Sequence, residues 1–214
     1  MKIAVLGSGD VGQVLGAGLA ARGHQVMMGT RDPGQAKVKD WVAKTGSGVR
    51  AGTFAEAAAF GDLAVLATLW GGTENALKLA DPGNLAGKLV MDATNPLDFS
   101  EGMPPRLAIG GTDSAGERIQ AWLPEAYVVK AFNIVGNPHM VEPDFPDGSP
   151  DMFICGNHEP AKVTAQGLIE ELGWPVVDLG GIEASRYLEG LAMVWILQYF
   201  ATGSGNHAFK LLRK

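Results

Sequence analysis

The chain lacks most of what would mark a secreted, metal-binding or membrane protein. It has one cysteine, Cys155, among 214 residues, so neither an intramolecular disulfide nor a cysteine cluster can form, and a reducing compartment, the cytoplasm, is expected. Its four histidines, His24, His139, His158 and His207, lie far apart without ligand spacing, and no metal site is expected. No apolar run reaches the roughly 18 residues of a membrane span. The longest, around 188–201, is interrupted by Glu189 and Gln198, and Ile3 to Leu6 is too short for a signal-peptide core. A soluble chain with no membrane partner follows as the expectation. Basic residues are outnumbered, 17 Lys and Arg against 23 Asp and Glu for a net charge of -6, which argues against a nucleic-acid partner and confines any phosphate binding to a local pocket. A Tyr-x-x-x-Lys pair to protonate a carbonyl is also missing: Tyr127 is followed too early by Lys130, and Tyr187 by Leu191 where the lysine would stand.

What the chain does have is glycine and ordered apolar segments. Its 30 glycines show no triplet period, which excludes a collagen-like repeat and leaves turns and close backbone approaches as their use. With 46% hydrophobic and 19% charged residues the chain can bury a core. Apolar runs predict strands over 2–6, 25–28, 49–51, 62–68, 88–93 and 127–131. Between them, helices are predicted over 11–22, 33–44 (opened by Asp32), 73–79 and 113–122. This alternation specifies an α/β fold with a doubly wound parallel sheet of the Rossmann type. A proline-rich connection over 137–150, with Pro138, Pro143, Pro146 and Pro150, then separates a nucleotide-binding domain, 1–136, from a small C-terminal αβ and helical unit, 137–214. That unit is predicted to contain strands over 151–155 and 175–179 around a helix over 160–172, a long apolar helix over 183–199, and a short terminal helix over 207–212.

The strongest motif is Gly7-Ser8-Gly9-Asp10-Val11-Gly12, a GxGxxG sequence that leaves the first strand and opens the first helix. In such a turn Gly7 allows the tight bend, Gly9 lets the backbone approach a pyrophosphate, and Gly12 lets helix and strand pack closely. The helix N-terminus adds free N–H groups and the positive end of its dipole. Gly16 and Gly18, further along, are read as packing residues. An NAD site usually ends its second strand with an acid that holds the ribose hydroxyls. Here the strand ends Met28-Gly29-Thr30-Arg31, and a hydroxyl beside a guanidinium suits a 2'-phosphate, which selects NADP(H). Thr68-Leu69-Trp70 and Thr94-Asn95-Pro96 close two later strands, at the edge where open α/β sheets bind ligands. Asn133, Ile134, Val135 and Gly136 follow the sixth strand and are expected to wall a substrate pocket opposite the nicotinamide, with His139 as a further polar contact. Arg186 and Glu189, one helical turn apart, are read as an ion pair. Asn157-His158-Glu159 is read as a turn and helix cap.

The segments KIAVLGSGDVG, GTRDP, VVKAFN at 128–133 and SRYLEGLA at 185–192 give the chain a resemblance to the NADP oxidoreductases that use the deazaflavin coenzyme F420. Its first half is similar to many dinucleotide enzymes, including the cytoplasmic domains of six-transmembrane metalloreductases, so the later segments carry the specific resemblance. It implies hydride transfer between NADPH and a deazaflavin stacked face to face, in a cleft between the nucleotide domain and a small C-terminal domain, within a homodimer. The residues themselves leave two other readings open: an NADPH-dependent reductase of a flavin, an imine or a small carbonyl compound, and an NADPH-sensing protein without turnover.

Overall fold

In a computed structural model that describes residues 1–214, ten strands and seven helices follow one another as the apolar segments require. They are β1 (Lys2–Leu6), α1 (Asp10–Ala21), β2 (Gln25–Thr30), α2 (Ala36–Thr45), β3 (Val49–Thr53), α3 (Phe54–Phe60), β4 (Leu63–Leu66), α4 (Trp70–Ala80), β5 (Leu89–Asp92), a hairpin of β6 (Leu97–Asp98) and β7 (Arg106–Leu107), α5 (Ala115–Trp122), β8 (Tyr127–Lys130), β9 (Met152–Gly156), α6 (Glu159–Glu171), β10 (Val176–Asp178) and α7 (Ser185–Thr202). One sheet holds eight strands in the order β10-β9-β8-β5-β4-β1-β2-β3. All its pairs are parallel except β8 with β9. The chain reverses its direction of winding between β1 and β4, so the loop after β1 opens into the crevice where such sheets take ligands.

Successive side chains of a strand point to opposite faces, and β1 divides accordingly. Ile3 and Val5 enter a cluster with Leu15 and Leu19 of α1, Trp41 of α2, Leu168 of α6 and Leu188 of α7. Ala4 and Leu6 enter a second cluster with Phe54 of α3, Leu77 of α4 and Ile119 of α5. Helices therefore cover both faces, which is why β4 and β5 are buried along their whole length. Because β9 and β10 join the same sheet, residues 137–214 extend it and add α6 and α7 to the first cluster. A Cβ on Gly16 would stand 3.0 Å from the Trp41 ring, and one on Gly18 2.6 Å from Val141, which makes both glycines packing residues.

Several expectations are corrected. α2 begins at Ala36 rather than 33, because Asp32 does not cap it; its Oδ1 accepts the Gly34 N–H at 2.9 Å in a turn ahead of the helix. α3 is a helix the apolar pattern does not announce. Its start is fixed by a capping box in which Thr53 and Glu56 satisfy each other's backbone N–H groups. Residues 207–212 form an irregular strap, not a helix, since their backbone is committed to distant partners. The Phe209 carbonyl accepts from the Asp151 N–H (2.9 Å), the Leu211 N–H donates to Asp151 (2.7 Å), and the His207 carbonyl accepts from the Trp195 indole (2.9 Å).

Candidate active site at the carboxyl edge of the sheet

The glycine loop has the form its sequence demands. Gly7 sits at a φ of 127°, where a side chain is strained, and a Cβ there would run into the Ala67 carbonyl. Its N–H donates to the Gly29 carbonyl at 3.0 Å, tying the turn to β2. A Cβ on Gly12 would strike the Gly7 carbonyl, whereas one on Gly9 meets nothing within 4 Å. The space in front of Gly9 is thus left free by the protein itself. No side chain caps α1, so its first N–H groups face that space. Ser8 is half-buried, its hydroxyl 3.4 Å from that of Thr30; Asp10 is exposed, and Val11 is half-buried. Thr30 is buried at the tip of β2, while Arg31 is exposed and takes part in none of the ion pairs. An uncapped helix N-terminus, a cradle shaped by missing Cβ atoms and a free guanidinium fit a dinucleotide with an added phosphate.

Beside it, Thr68 shares a hydrogen bond with Thr73 (2.8 Å), Trp70 stacks on Trp122 with centroids 5.5 Å apart, and Leu69 projects outward, 79% exposed. The turn after β5 is of another kind. Thr94 is buried, and both its N–H and its hydroxyl donate to Asp92 Oδ1 (2.9 and 2.7 Å). Asn95 and Asn133 bond each other: Asn95 Nδ2 donates to the Asn133 carbonyl (2.7 Å), and Asn133 Nδ2 donates to Asn95 Oδ1 (3.0 Å). Pro96 accepts the Ala108 N–H at 2.7 Å and so anchors the hairpin. Ile134 and Val135 are buried in the larger core cluster. Gly136 lies under α7, where a Cβ would come within 2.9 Å of the Trp195 ring. His139 bonds Asn206 at 3.0 Å and tilts against Phe145, which links this loop to the C-terminal strap.

A group that the sequence did not single out lies immediately behind this turn. Lys130, at the end of β8, is fully buried, with its ammonium 2.7 Å from Asp92 Oδ2, 3.0 Å from Glu189 Oε1 and 2.8 Å from the Thr94 carbonyl. Asp92 Oδ2 has no neutral hydrogen-bond donor; the ammonium is its compensation. Burial alone drives Lys130 toward neutrality, but the carboxylates of Asp92 and Glu189 outweigh it and hold its pKa above the ordinary lysine value. Burial raises the Glu189 carboxyl against the pull of Lys130. Both its oxygens accept backbone N–H groups at the start of α5, Ala115 at 3.0 Å and Gly116 at 3.1 Å, so this geometry holds the charged form. The Arg186–Glu189 pair expected from helical spacing does not form. Glu189 turns inward to Lys130, and Arg186 pairs with Glu117 of α5. His158 does cap its helix, accepting the Ala161 N–H at 3.2 Å, and it stacks on Tyr127. The sequence signals for the buried group were an acid and a lysine ending two otherwise apolar strands, and Glu189 interrupting an apolar helix.

Away from the glycine loop, an apolar groove of about 520 Å³ runs between α7 and the strap, lined by Val194, Trp195, Leu197, Ala208 and Phe209 among others. No helix is long and apolar enough to cross a membrane.

Comparison with known proteins agrees with this geometry. The family model described as NADP oxidoreductase coenzyme F420-dependent matches residues 2–96. The chain is 33% identical over 214 aligned residues to the F420-dependent NADP reductase of Methanothermobacter marburgensis, covering 92% of this chain and 91% of that protein. It is 28% identical to the metalloreductase STEAP3 of Rattus norvegicus over 90% of its own length, but spans only 36% of that protein. Among solved structures, a proposed F420-dependent NADP reductase from Arthrobacter sp. FB24 superposes with a TM-score of 0.95 at 43% identity, with each chain covered in full.

Proposed function

The chain belongs to the F420-dependent NADP reductases, a family of NADP oxidoreductases, and from that membership we propose that its sheet edge holds NADP(H) and presents it to a deazaflavin. NADP and coenzyme F420 are the family's cofactors. In this reading Gly7, Ser8, Gly9, Asp10, Val11 and Gly12 receive the pyrophosphate, and Thr30 and Arg31 the 2'-phosphate. Thr68, Leu69 and Trp70 flank the dinucleotide, and the backbone of Thr94, Asn95 and Pro96 borders the ribose and nicotinamide. The segment from Asn133 through Ile134 and Val135, with His139 beyond it, backs the acceptor. The observation that carries the reading is the open space at Gly9 under the uncapped start of α1, next to the unpaired Arg31.

When bound, the reduced nicotinamide supplies a hydride that a deazaflavin ring accepts. Transfer between two rings asks the protein for alignment and exclusion of water more than for a strong acid. Residues 1–136 fix the dinucleotide, and residues 137–214, through α7 and Trp195 over Gly136, close the opposite wall. The protein works in the cytoplasm, without nucleic acid, as a homodimer. Supporting the dimer, α7 leaves Val194, Leu197 and Phe200 about half exposed beside the apolar groove. Light scattering checks the dimer: a monomer at micromolar concentration removes it.

The deciding experiment is NADPH oxidation with a panel of coenzyme F420, free flavin, a cyclic imine and a small aldehyde. Turnover with the deazaflavin well above the others is the expected result. Turnover confined to an imine or aldehyde replaces the acceptor, and tight NADPH binding without any turnover makes the protein a sensor.

A further inference from the structure

The buried charges and the turn after β5 form a closed circuit. Lys130 donates to the Thr94 carbonyl (2.8 Å); the next residue, Asn95, is paired with Asn133; Asn133 Nδ2 also donates to the Leu188 carbonyl (3.0 Å); and Glu189, next to Leu188, returns to Lys130 at 3.0 Å. Every link joins a different element, namely the end of β5, the end of β8 and α7. A buried ion cluster is a weak source of net stability, because apolar residues of similar volume often do as well. Its distinctive effect is fixed geometry: the ammonium donates to the Thr94 carbonyl and stands within 3.0 Å of both carboxylates, so one cation holds the turn and the helix together.

We infer that Lys130 is a positioning residue for hydride transfer, locking the Thr94–Asn95 turn to α7 so that the nicotinamide side and the acceptor side of the cleft keep one spacing. The inference rests on the cleft assignment proposed above. α7 carries both Glu189, held by Lys130, and Trp195, seated on Gly136, so one ammonium sets the position of the helix that closes the cleft. No atom of Lys130 reaches the surface, so its action on the reaction is indirect.

The test compares the parent with a neutral variant of similar shape, Asp92→Asn with Lys130→Met and Glu189→Gln, and with Glu189→Gln alone, which keeps Lys130 paired with Asp92. Calorimetry measures NADPH and 2',5'-ADP, a fragment that contains the 2'-phosphate but no nicotinamide. Turnover is followed with NADPH deuterated on either face of the nicotinamide. Positioning predicts 2',5'-ADP affinity within about twofold of the parent and NADPH weaker by roughly fivefold, the worth of one net hydrogen bond. It predicts kcat lower by roughly 100-fold, the scale of a misplacement of about 1 Å, with deuterium transfer no longer confined to one face. Glu189→Gln should show the same pattern at smaller amplitude, and it carries the test if the triple variant does not fold. Equal losses for both ligands, or unchanged kcat and facial selectivity, overturn the inference and leave the cofactor reading standing. A parent protein that binds neither ligand overturns both.

Discussion

The two sides of the proposed cleft are built on opposite principles. At the glycine loop the protein withholds material: no Cβ at Gly9, no cap on α1, no partner for Arg31. At the turn after β5 it commits nearly everything: Thr94 to Asp92, Asn95 to Asn133, and Lys130 to three acceptors at once. Unspent donors bind a ligand well because nothing must be broken first, while saturated ones fix a shape. Affinity should therefore reside mainly at the first half, and the geometry of the reaction at the second. The contrast also limits what Thr94 can do. Its side chain is already engaged within the protein, while Asn133 keeps its buried Oδ1 without a partner, so the backbone, that oxygen and the partly exposed Asn95 are what this turn offers a ligand.

The largest effect should come from breaking the committed half. Lys130→Met leaves Asp92 and Glu189 buried without their cation, and removing one partner of a buried pair costs about 3–5 kcal/mol. Urea denaturation should show it at pH 7. The neutral triple variant should recover most of the loss, since no charge then remains without a partner. Because the folded pKa of Lys130 is raised, its contribution is complete at and below the ordinary lysine value of 10.5 and is lost as pH climbs through the folded value. As pH rises, the gap between parent and Lys130→Met should thus narrow only in strong alkali; as pH falls it narrows when the uncompensated acids of the variant take up protons. A gap that closed as pH rose through neutrality would mean that the lysine is uncharged there.

Filling the withheld half should do the reverse, sparing the fold and removing the ligand. Gly9 has an ordinary φ of -75° and open space where a side chain would go, so Gly9→Val should leave stability within about 0.5 kcal/mol. If the pyrophosphate sits where proposed, the new side chain blocks its approach, and NADPH binding should fall more than about 100-fold, roughly 3 kcal/mol. Circular dichroism with a cofactor titration separates the two effects. Arg31→Ala is the next smaller step. It should weaken NADPH by about 1.5–3 kcal/mol, the range of a hydrogen bond to a charged group, and leave NADH nearly untouched. Equal losses for the two cofactors would remove Arg31 from the 2'-phosphate.

The form of the glycine turn was legible in the sequence and the charge cluster behind the β5 turn was not, for a physical reason. A glycine turn is a local object: one strand, one turn and one helix start supply all of it, so the shape of Gly7 to Gly12 can be read in a single pass, as can the place of Thr30 and Arg31 at the tip of β2. The charge cluster draws on three distant segments. A lysine ending a strand looks like a surface residue until its acids arrive from β5 and α7. For the same reason helical spacing paired Arg186 with Glu189, when the sheet had brought a better partner to each. The strap at 207–212 was mistaken because its backbone bonds are long-range, while α3 was missed despite a local signal, Thr53 three residues before Glu56.

The smallest predicted effect tests whether the contrast holds between a single pair of helices. α5 and α7 are joined twice, inside by Glu189 on the N–H groups of Ala115 and Gly116, and at the rim by Arg186 on Glu117. The Arg186 guanidinium holds the Glu117 carboxyl below its ordinary value of 4.5 against the opposing effect of burial, with further help from the Ser114 hydroxyl. A carboxyl with a lowered folded pKa adds stability above its unfolded value and loses it as pH falls through the folded one. The rim pair is partly in water and screened by salt, so Glu117→Gln should lower Tm by only about 1–3 °C at pH 7. Parent and variant should converge only as pH falls from 4.5 through the lowered folded value and the parent's Glu117 takes up its proton. Thermal melts in a series running from pH 7 into acid, each in low and high salt, decide this. A loss matching that of Lys130→Met would mean that the rim, not the buried cluster, carries the link between these helices.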